Sequence, residues 1–193
     1  MEDTGHILYH KNLEVKYKVN NFGDVIVSLS NYFDCILSQK DTYYVVPNGR
    51  LKLREEAKVI LDGKQELTSH FIRYYRPDDA EKISIVHKYY IDDIKNFQNV
   101  FGDIMKEEVV VKKTRMLFLY KNARIHLDNV ITLHKGSEFY IEIEVVIKNE
   151  EEDFNSKLLL NELIVLMKLE KSTIIHNSYR ELQLQQDKYN FSV

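Results

Sequence analysis

The sequence predicts an α+β domain built on an antiparallel sheet of roughly seven or eight strands, with a few helices packed against it. Several segments alternate apolar and charged residues with a period of two, as strands with one apolar face do. The chain also contains thirteen Tyr and nine Phe but only two Pro and six Gly, which suits strands and argues against disorder. We expect a single domain over residues 1–193.

The strand pattern is clearest in the first alternating segment. Leu13, Val15 and Tyr17 are separated by Glu14 and Lys16, so that apolar and charged side chains point to opposite faces. The other regular segments are 50–54, 124–128 and 140–145, and less regular ones are 70–76, 84–90 and 109–120. The sequence Pro-Asn-Gly at 47–49 predicts a tight turn before the second of these strands.

Four segments have helical spacing. Residues 24–37 carry an apolar stripe, and 92–101 begin with an Asp that can cap a helix and end before Gly102. Residues 155–169 are rich in leucine, and 174–184 form a shorter candidate near the C-terminus. The four helices are expected to cover the apolar faces of the strands.

Composition restricts the class of protein. The net charge of −3 argues against a general nucleic-acid binder, which usually carries a basic excess. The single cysteine, Cys35, excludes an internal disulfide framework and suits a reducing compartment, where a buried structural thiol is expected. Because neither an N-terminal apolar segment nor a run of eighteen apolar residues is present, we expect a cytoplasmic monomer or homodimer without a membrane partner.

The charges on the polar faces are sorted by strand. A solvated face is the ordinary alternative, since one side of an antiparallel sheet commonly faces water. If the helices cover the apolar faces, however, the charged faces line the concave side, and about eight strands close into a barrel that holds one small ligand. Arginine and lysine bind phosphate oxygens, while carboxylates hold Mg²⁺ or Mn²⁺. The pattern therefore suits a polyphosphate bound with a divalent cation.

The order of seven motifs resembles the CYTH superfamily, the triphosphate tunnel metalloenzymes. The first, Asn12-Leu13-Glu14-Val15-Lys16, is similar to the N-terminal strand motif of that family. The others lie at 41–54 (DTYY and PNGRLKLR), 75–78 (YRPD), 113–115 (KTR), 124–130 (RIHLDNV), 139–145 (FYIEIEV) and 178–182 (SYREL). The last resembles the class IV adenylyl cyclase branch, and thiamine triphosphatases are related members. The resemblance extends from about residue 12 to residue 184.

The resemblance implies a closed eight-stranded antiparallel barrel, dependence on Mg²⁺ or Mn²⁺ and a triphosphate substrate. The implied substrate-binding residues are Lys16, Lys18, Lys52, Arg54, Arg76, Lys113, Arg115, Arg124 and Arg180. The implied metal ligands are Glu14, Glu142 and Glu144, with Asp128 as an additional ligand or an orienting group. The implied catalytic residues are Glu14, Lys16 and Glu144.

The chain departs from the family pattern at two places. Asn12 occupies the first acidic position of the ExExK motif, and an amide oxygen can bind a metal but brings no charge. Residues 134–138 lengthen a loop beside the predicted metal strand. His126 lies on the charged face of its predicted strand. It is a candidate for a structural hydrogen bond, or alternatively for proton transfer or phosphate contact. Tyr74 and Tyr179 are candidates for packing or for stacking on a base.

Three functions are compatible with these residues. The first is a metal-dependent hydrolase of tripolyphosphate, thiamine triphosphate or a nucleoside triphosphate. The second is a nucleotidyl cyclase that uses the ribose 3′-hydroxyl as nucleophile and makes cyclic AMP from ATP. The third is a module that binds a polyphosphate or nucleotide without turnover, which Asn12 favours. Hydrolysis is preferred because water is always available, whereas a cyclase needs a base pocket that the sequence does not reveal.

Overall fold

The computed structural model describes residues 7–59, 64–75, 82–133, 138–147 and 152–190. Eight antiparallel strands form a closed barrel in the order β1-β5-β4-β3-β2-β6-β7-β8, which confirms the predicted fold class. β1 pairs with both β5 and β8 and so closes the barrel. The strands are β1 (Ile7–Val19), β2 (Phe33–Tyr44), β3 (Arg50–Val59), β4 (Gln65–Tyr75), β5 (Lys82–Ile91), β6 (Glu107–Tyr120), β7 (Ala123–Val130) and β8 (Glu138–Ile147).

Four α-helices accompany the barrel: α1 (Gly23–Leu29), α2 (Ile94–Phe101), α3 (Glu152–Leu166) and α4 (Tyr179–Asn190). The Asp93 side chain caps α2 by accepting a hydrogen bond from the Asn96 N–H at 3.0 Å, as the sequence predicts. Gly102 follows this helix with a right-handed backbone rather than the left-handed one expected of a C-terminal glycine. Within the described residues, the helices are too short or too polar to cross a membrane.

The apolar core lies outside the barrel, between its wall and two helices. Leu13, Ile125 and Ile143 are almost fully buried on the outward faces of β1, β7 and β8. They pack in one cluster with Leu160 and Leu163 of α3 and with residues of α1. Because this core covers the outward faces, the alternate charged residues of the same strands point into the barrel.

One end of the barrel is filled by apolar side chains. Tyr43, Val111 and Tyr140 form a buried cluster with Tyr179, which α4 supplies. The chain before α4 is tied to β1, because the Ile175 N–H donates to the Lys16 carbonyl at 2.8 Å. At the turn between β2 and β3, Gly49 has φ +74°, and a Cβ there would lie 3.0 Å from the Tyr74 carbonyl oxygen. The predicted turn therefore requires glycine at this position.

The helix prediction for residues 24–37 is wrong in its second half. α1 ends at Leu29, a 3₁₀ turn spans Ser30–Tyr32, and β2 begins at Phe33. Residues from Cys35 onward pair with β6, and residues from Ile36 onward pair with β3. The backbone N–H and C=O groups at the edges of both neighbouring strands find partners only if this segment is extended. Cys35 is buried, as expected, and burial raises the pKa of its thiol to about 12.

The last two helices start at other residues than predicted. α3 starts at Glu152 and ends at Leu166, three residues earlier at each end than expected. α4 starts at Tyr179 rather than at residue 174. Ile174 instead forms a bridge with Tyr17 of β1, which holds the chain extended before the helix begins.

Candidate active site

The interior of the barrel holds a cavity of about 150 Å³. Its wall is formed mainly by polar and charged side chains from the strands, with Ser178 and Tyr179 added from the segment that closes the end. The charged and amide residues that line it are Asn12, Glu14, Lys16, Lys52, Arg54, Glu56, Lys88, Lys113, Arg115, Arg124, Glu142 and Glu144. Cations thus outnumber carboxylates on the wall by seven to four, which favours an anionic ligand.

Asp41 organises one half of the cations. It lies on β2 between β3 and β6, and only 1% of its side chain is exposed. Arg54 donates to it through Nε at 2.6 Å and Nη2 at 2.7 Å, and Lys52 Nζ lies 2.8 Å away. Burial alone would raise the pKa of the Asp41 carboxyl, but the charges of Arg54 and Lys52 hold that pKa well below its usual value. Asp41 is therefore a permanent anion beneath the cations.

Asp128 plays the same part for the other half. Arg115 donates to it through Nε and Nη2, both at 2.6 Å, and Tyr179 donates its hydroxyl at 2.9 Å. Lys113 Nζ is 3.7 Å from Asp128 and 3.8 Å from Asp41, so this lysine lies between the two aspartates. Two fully buried carboxylates thereby orient the cations toward the cavity.

The buried lysines hold their protons weakly. Burial, reinforced by the charge of Arg115, lowers the pKa of Lys113 to about 7. Burial and the charge of Arg54 lower the pKa of Lys52 to about 8. The cation cluster is therefore undercompensated in the ligand-free protein, and an anion in the cavity would favour the charged form of both lysines.

A cluster of carboxylates lies on β1 and β8, and it touches the cations where Arg115 Nη2 donates to a Glu142 oxygen at 3.2 Å. Glu14 of β1 lies directly across from Glu144 of β8, and Lys16 lies across from Glu142, with Lys16 Nζ 3.2 Å from a Glu142 oxygen. Burial raises the pKa of Glu142, but the charge of Lys16 outweighs it and keeps this pKa well below its usual value. From β7, His126 Nδ1 approaches Glu142 to 3.5 Å and Glu144 to 3.7 Å.

This acidic side fits a divalent cation of the kind that the family resemblance implies. Oxygen atoms of Glu142 and Glu144 are close enough to share one ion. The Asn12 side chain is 2% exposed on the same cavity, and its Oδ1 makes no hydrogen bond within the described structure. A buried amide oxygen without a donor is a free ligand atom, so the residues present suit a hard cation.

Most of the predicted site residues face the cavity, and a few do not. Lys18 is about half exposed and pairs with Glu138 at 2.6 Å, away from the cavity wall. Arg180 of α4 donates through Nη2 to Glu108 Oε1 of β6 at 2.6 Å and is not part of the cavity lining. Asp128 lies beneath Arg115 as its counter-ion. Arg124 lines the cavity and is exposed. Arg76 and loop residues 134–137 fall outside the described residues.

Sequence reasoning missed three charged residues of the barrel interior. Asp41 lies within a motif of the family resemblance, but the segments with clear period-two alternation do not include residues 33–44, so the pattern assigns this carboxylate to neither face. Lys88 and Glu56 also line the cavity. Glu56 lies on the same face of β3 as Arg54, and Lys88 lies on the same face of β5 as Ser84, which lines the cavity too. Extending the period-two pattern to the full length of β3 and β5 would have found both.

A family model of the CYTH domain matches residues 10–176. The chain belongs to the CYTH domain family. The predicted family is thus confirmed over most of the sequence. Comparison with curated protein sequences found no match.

Solved structures share the CYTH fold with this chain. The PH1012 protein of Pyrococcus horikoshii is 23% identical, with a TM-score of 0.66 over 89% of this chain and 98% of that one. A candidate adenylate cyclase of Vibrio parahaemolyticus is 19% identical, with a TM-score of 0.67 over 90% and 97%. HpAC1 of Hippeastrum, which has a dominant triphosphatase activity, is 12% identical, with a TM-score of 0.56 over 91% and 96%. At these identities the likeness concerns the fold alone.

Proposed function

We propose that this CYTH domain is a divalent-metal-dependent hydrolase of a triphosphate-bearing substrate. One observation carries the proposal: the cavity wall combines an excess of cations with a carboxylate cluster on β1 and β8. A triphosphate needs several cationic donors along its oxygens, and a divalent ion held by carboxylates can bridge it to the β1–β8 part of the wall. The geometry matches both requirements within a single barrel.

The arginines are set to bind phosphate oxygens. Among the described contacts, Arg54 uses Nε and Nη2 for Asp41, and Arg115 uses the same two nitrogens for Asp128. A guanidinium has five N–H donors, so each arginine keeps its Nη1 donors for a ligand while its plane is held by an aspartate. Lys52 and Lys113 add charge between the two arginines. Such preorganisation lowers the entropic cost of binding.

The acidic side supplies the groups for hydrolysis. Glu14, Glu142 and Glu144 would hold Mg²⁺ or Mn²⁺, which on binding neutralises phosphate charge and lowers the pKa of bound water. Glu14 and Glu144 face each other across the β1–β8 pair, so either carboxylate can accept a proton from a water that attacks the terminal phosphorus in line. Lys16 lies beside Glu142, where its charge can stabilise the phosphate being released.

The test is incubation with tripolyphosphate, ATP and GTP plus Mg²⁺ or Mn²⁺, with phosphate, pyrophosphate and cyclic nucleotides resolved. We expect inorganic phosphate as the first product, and its loss in excess EDTA. Pyrophosphate with a cyclic nucleotide would contradict hydrolysis and assign the same cavity to a cyclase. Binding of tripolyphosphate without any product would indicate a binding module, and full turnover in excess chelator would exclude the metal.

A further inference from the structure

His126 is a buried side chain on the cavity wall whose polar atoms are not satisfied. It extends from β7 among the carboxylates, and its relative exposure is 0%. Neither ring nitrogen makes a hydrogen bond of good geometry within the part of the chain that the structure describes, and Nδ1 only approaches the carboxylates of Glu142 and Glu144. Buried polar side chains almost always have a partner in the protein, in ordered water or in a ligand, so an imidazole in this state on a cavity wall is open to a ligand.

The spacing around His126 suits ligands of one ion better than hydrogen bonds. Its Nδ1 lies 3.5 Å from Glu142 Oε2 and 3.7 Å from Glu144 Oε1, beyond the usual range of a hydrogen bond. Two ligand atoms that are each about 2.1 Å from a metal lie about 3.0–3.4 Å apart in octahedral or tetrahedral geometry. One ligand atom from each of the three residues lies within 4.8 Å of the others. The two distances from His126 Nδ1 are thus within a few tenths of an ångström of the spacing between ligands of one ion.

Asn12 gives a second, independent sign of a ligand at this wall. Its Oδ1 is buried without a hydrogen bond, and it lines the same cavity. The two carboxylates and the imidazole form a mixed oxygen and nitrogen donor set, and the amide oxygen of Asn12 lines the same cavity. Mg²⁺ prefers oxygen ligands alone, whereas first-row transition ions accept imidazole readily.

We infer that His126 is a direct metal ligand beside Glu142 and Glu144, and that the site selects a transition ion such as Mn²⁺ or Co²⁺ over Mg²⁺. This inference rests on the proposed function only in placing a divalent ion in the cavity. The competing role for His126 is purely structural, with a hydrogen bond to one of the carboxylates in solution. The two roles differ in whether nitrogen is bonded to the ion.

Pulsed electron paramagnetic resonance of Mn²⁺ bound to the protein separates these roles. Samples would contain Mn²⁺ alone and Mn²⁺ with pyrophosphate, which supplies phosphate oxygens without nitrogen. We expect a ¹⁴N coupling in the wild type that is lost in His126→Gln. The matched control is His70→Gln, because His70 is also buried inside the barrel, at 2% exposure, but lies outside the carboxylate cluster. His70→Gln should keep the coupling.

Calorimetric titration gives the second measurement. His126→Gln should lower Mn²⁺ affinity by at least about tenfold, the least expected when a metal loses a supporting group, and should lower Mg²⁺ affinity by less. Bound Mn²⁺ without ¹⁴N coupling in the wild type, equal losses for both ions, or no Mn²⁺ binding in either sample would overturn the inference. Hydrolysis is measured separately with Mg²⁺ and with Mn²⁺, and its absence with both ions would refute the proposed function without touching the nitrogen coupling.

Discussion

Replacing Asp41 by Asn removes a buried charge while leaving the volume of the side chain unchanged. Arg54 and Lys52 lie within 2.6–2.8 Å of this carboxylate, and Lys113 Nζ is 3.8 Å away. Breaking a buried ion pair by removing one partner costs about 3–5 kcal/mol, because the remaining charge is left uncompensated. At about 2–4 °C per kcal/mol for a chain of this size, the melting temperature should fall by about 6–20 °C.

The loss should depend on pH in a definite direction. Without Asp41, the pKa values of Lys52 and Lys113, already about 8 and 7, fall further in the folded state, whereas in the unfolded chain they return to ordinary values. The unfolded state then binds more protons than the folded state, so the stability of the variant rises with pH. The difference from the wild type should therefore be larger at pH 6.5 than at pH 9.

The assay is thermal melting with and without tripolyphosphate at both pH values. Tripolyphosphate should raise the melting temperature of Asp41→Asn more than that of the wild type, because it replaces the missing negative charge. Asp34→Asn is the control, since Asp34 is an exposed aspartate of the same strand and its ion-pair partner Lys58 is 3.9 Å away. A ligand-free Asp41→Asn that melts within about 2 °C of the wild type, or gains no more from the ligand, would refute the role of Asp41 as counter-ion.

Three further changes test the binding and catalytic assignments. Arg54→Ala should weaken tripolyphosphate binding by about 1.5–3 kcal/mol. The control Lys18→Ala changes a residue outside the cavity wall and should leave the dissociation constant within about twofold of the wild-type value. Equal losses of affinity in the two variants would mean that the cavity wall does not define the binding site. Affinity should fall as pH rises above the Lys113 pKa of about 7, because the ligand needs the charged lysine, and Lys113→Gln should flatten that dependence in calorimetric titrations. Glu144→Gln should reduce the rate of phosphate release far more than it weakens binding, and a matching loss of both would assign Glu144 to the phosphate grip instead.

The sequence predicted the barrel wall well because strand parity is a rigid constraint. Once Glu14 and Lys16 are placed on one face of β1, every second residue must follow, and the same holds for Lys52 and Arg54 on β3. These four residues do line one cavity. Alternation is a local property of the chain, so one sequence suffices to detect it.

The start of β2 could not be predicted in this way. Phe33 and Ile36 share helical spacing with Leu29, and both are apolar although partly exposed on the outside of the barrel. Cys35 and Leu37 are the buried residues of this stretch, so buried and exposed positions are both apolar and the alternation disappears. Pairing with β3 and β6, which is tertiary, decides that the segment is extended.

The role of Asp128 illustrates the limit for the site itself. Strand parity places it on the inward face of β7, and the family resemblance implies either an additional metal ligand or an orienting group. Whether an inward carboxylate faces a metal or an arginine depends on which strands are neighbours, and Arg115 lies directly across from Asp128 in the β6–β7 register. Such pairing depends on the order of the strands, which alternation does not contain.

The closure of the barrel by β1 also affects how the protein folds. Glu14 and Glu144 face each other, yet the nascent chain must extend about 130 residues beyond the first before the second exists. Hairpins such as β3–β4 and β6–β7 close only short loops. Pairing of β1 with β8 closes a very long loop, which costs more conformational entropy. The two halves of the acidic cluster therefore meet late, when most of the wall is already formed. A chain released from the ribosome before β8 is made would carry the cations of β3 and β6 that we propose for phosphate binding, but not the two β8 carboxylates that we propose for the ion.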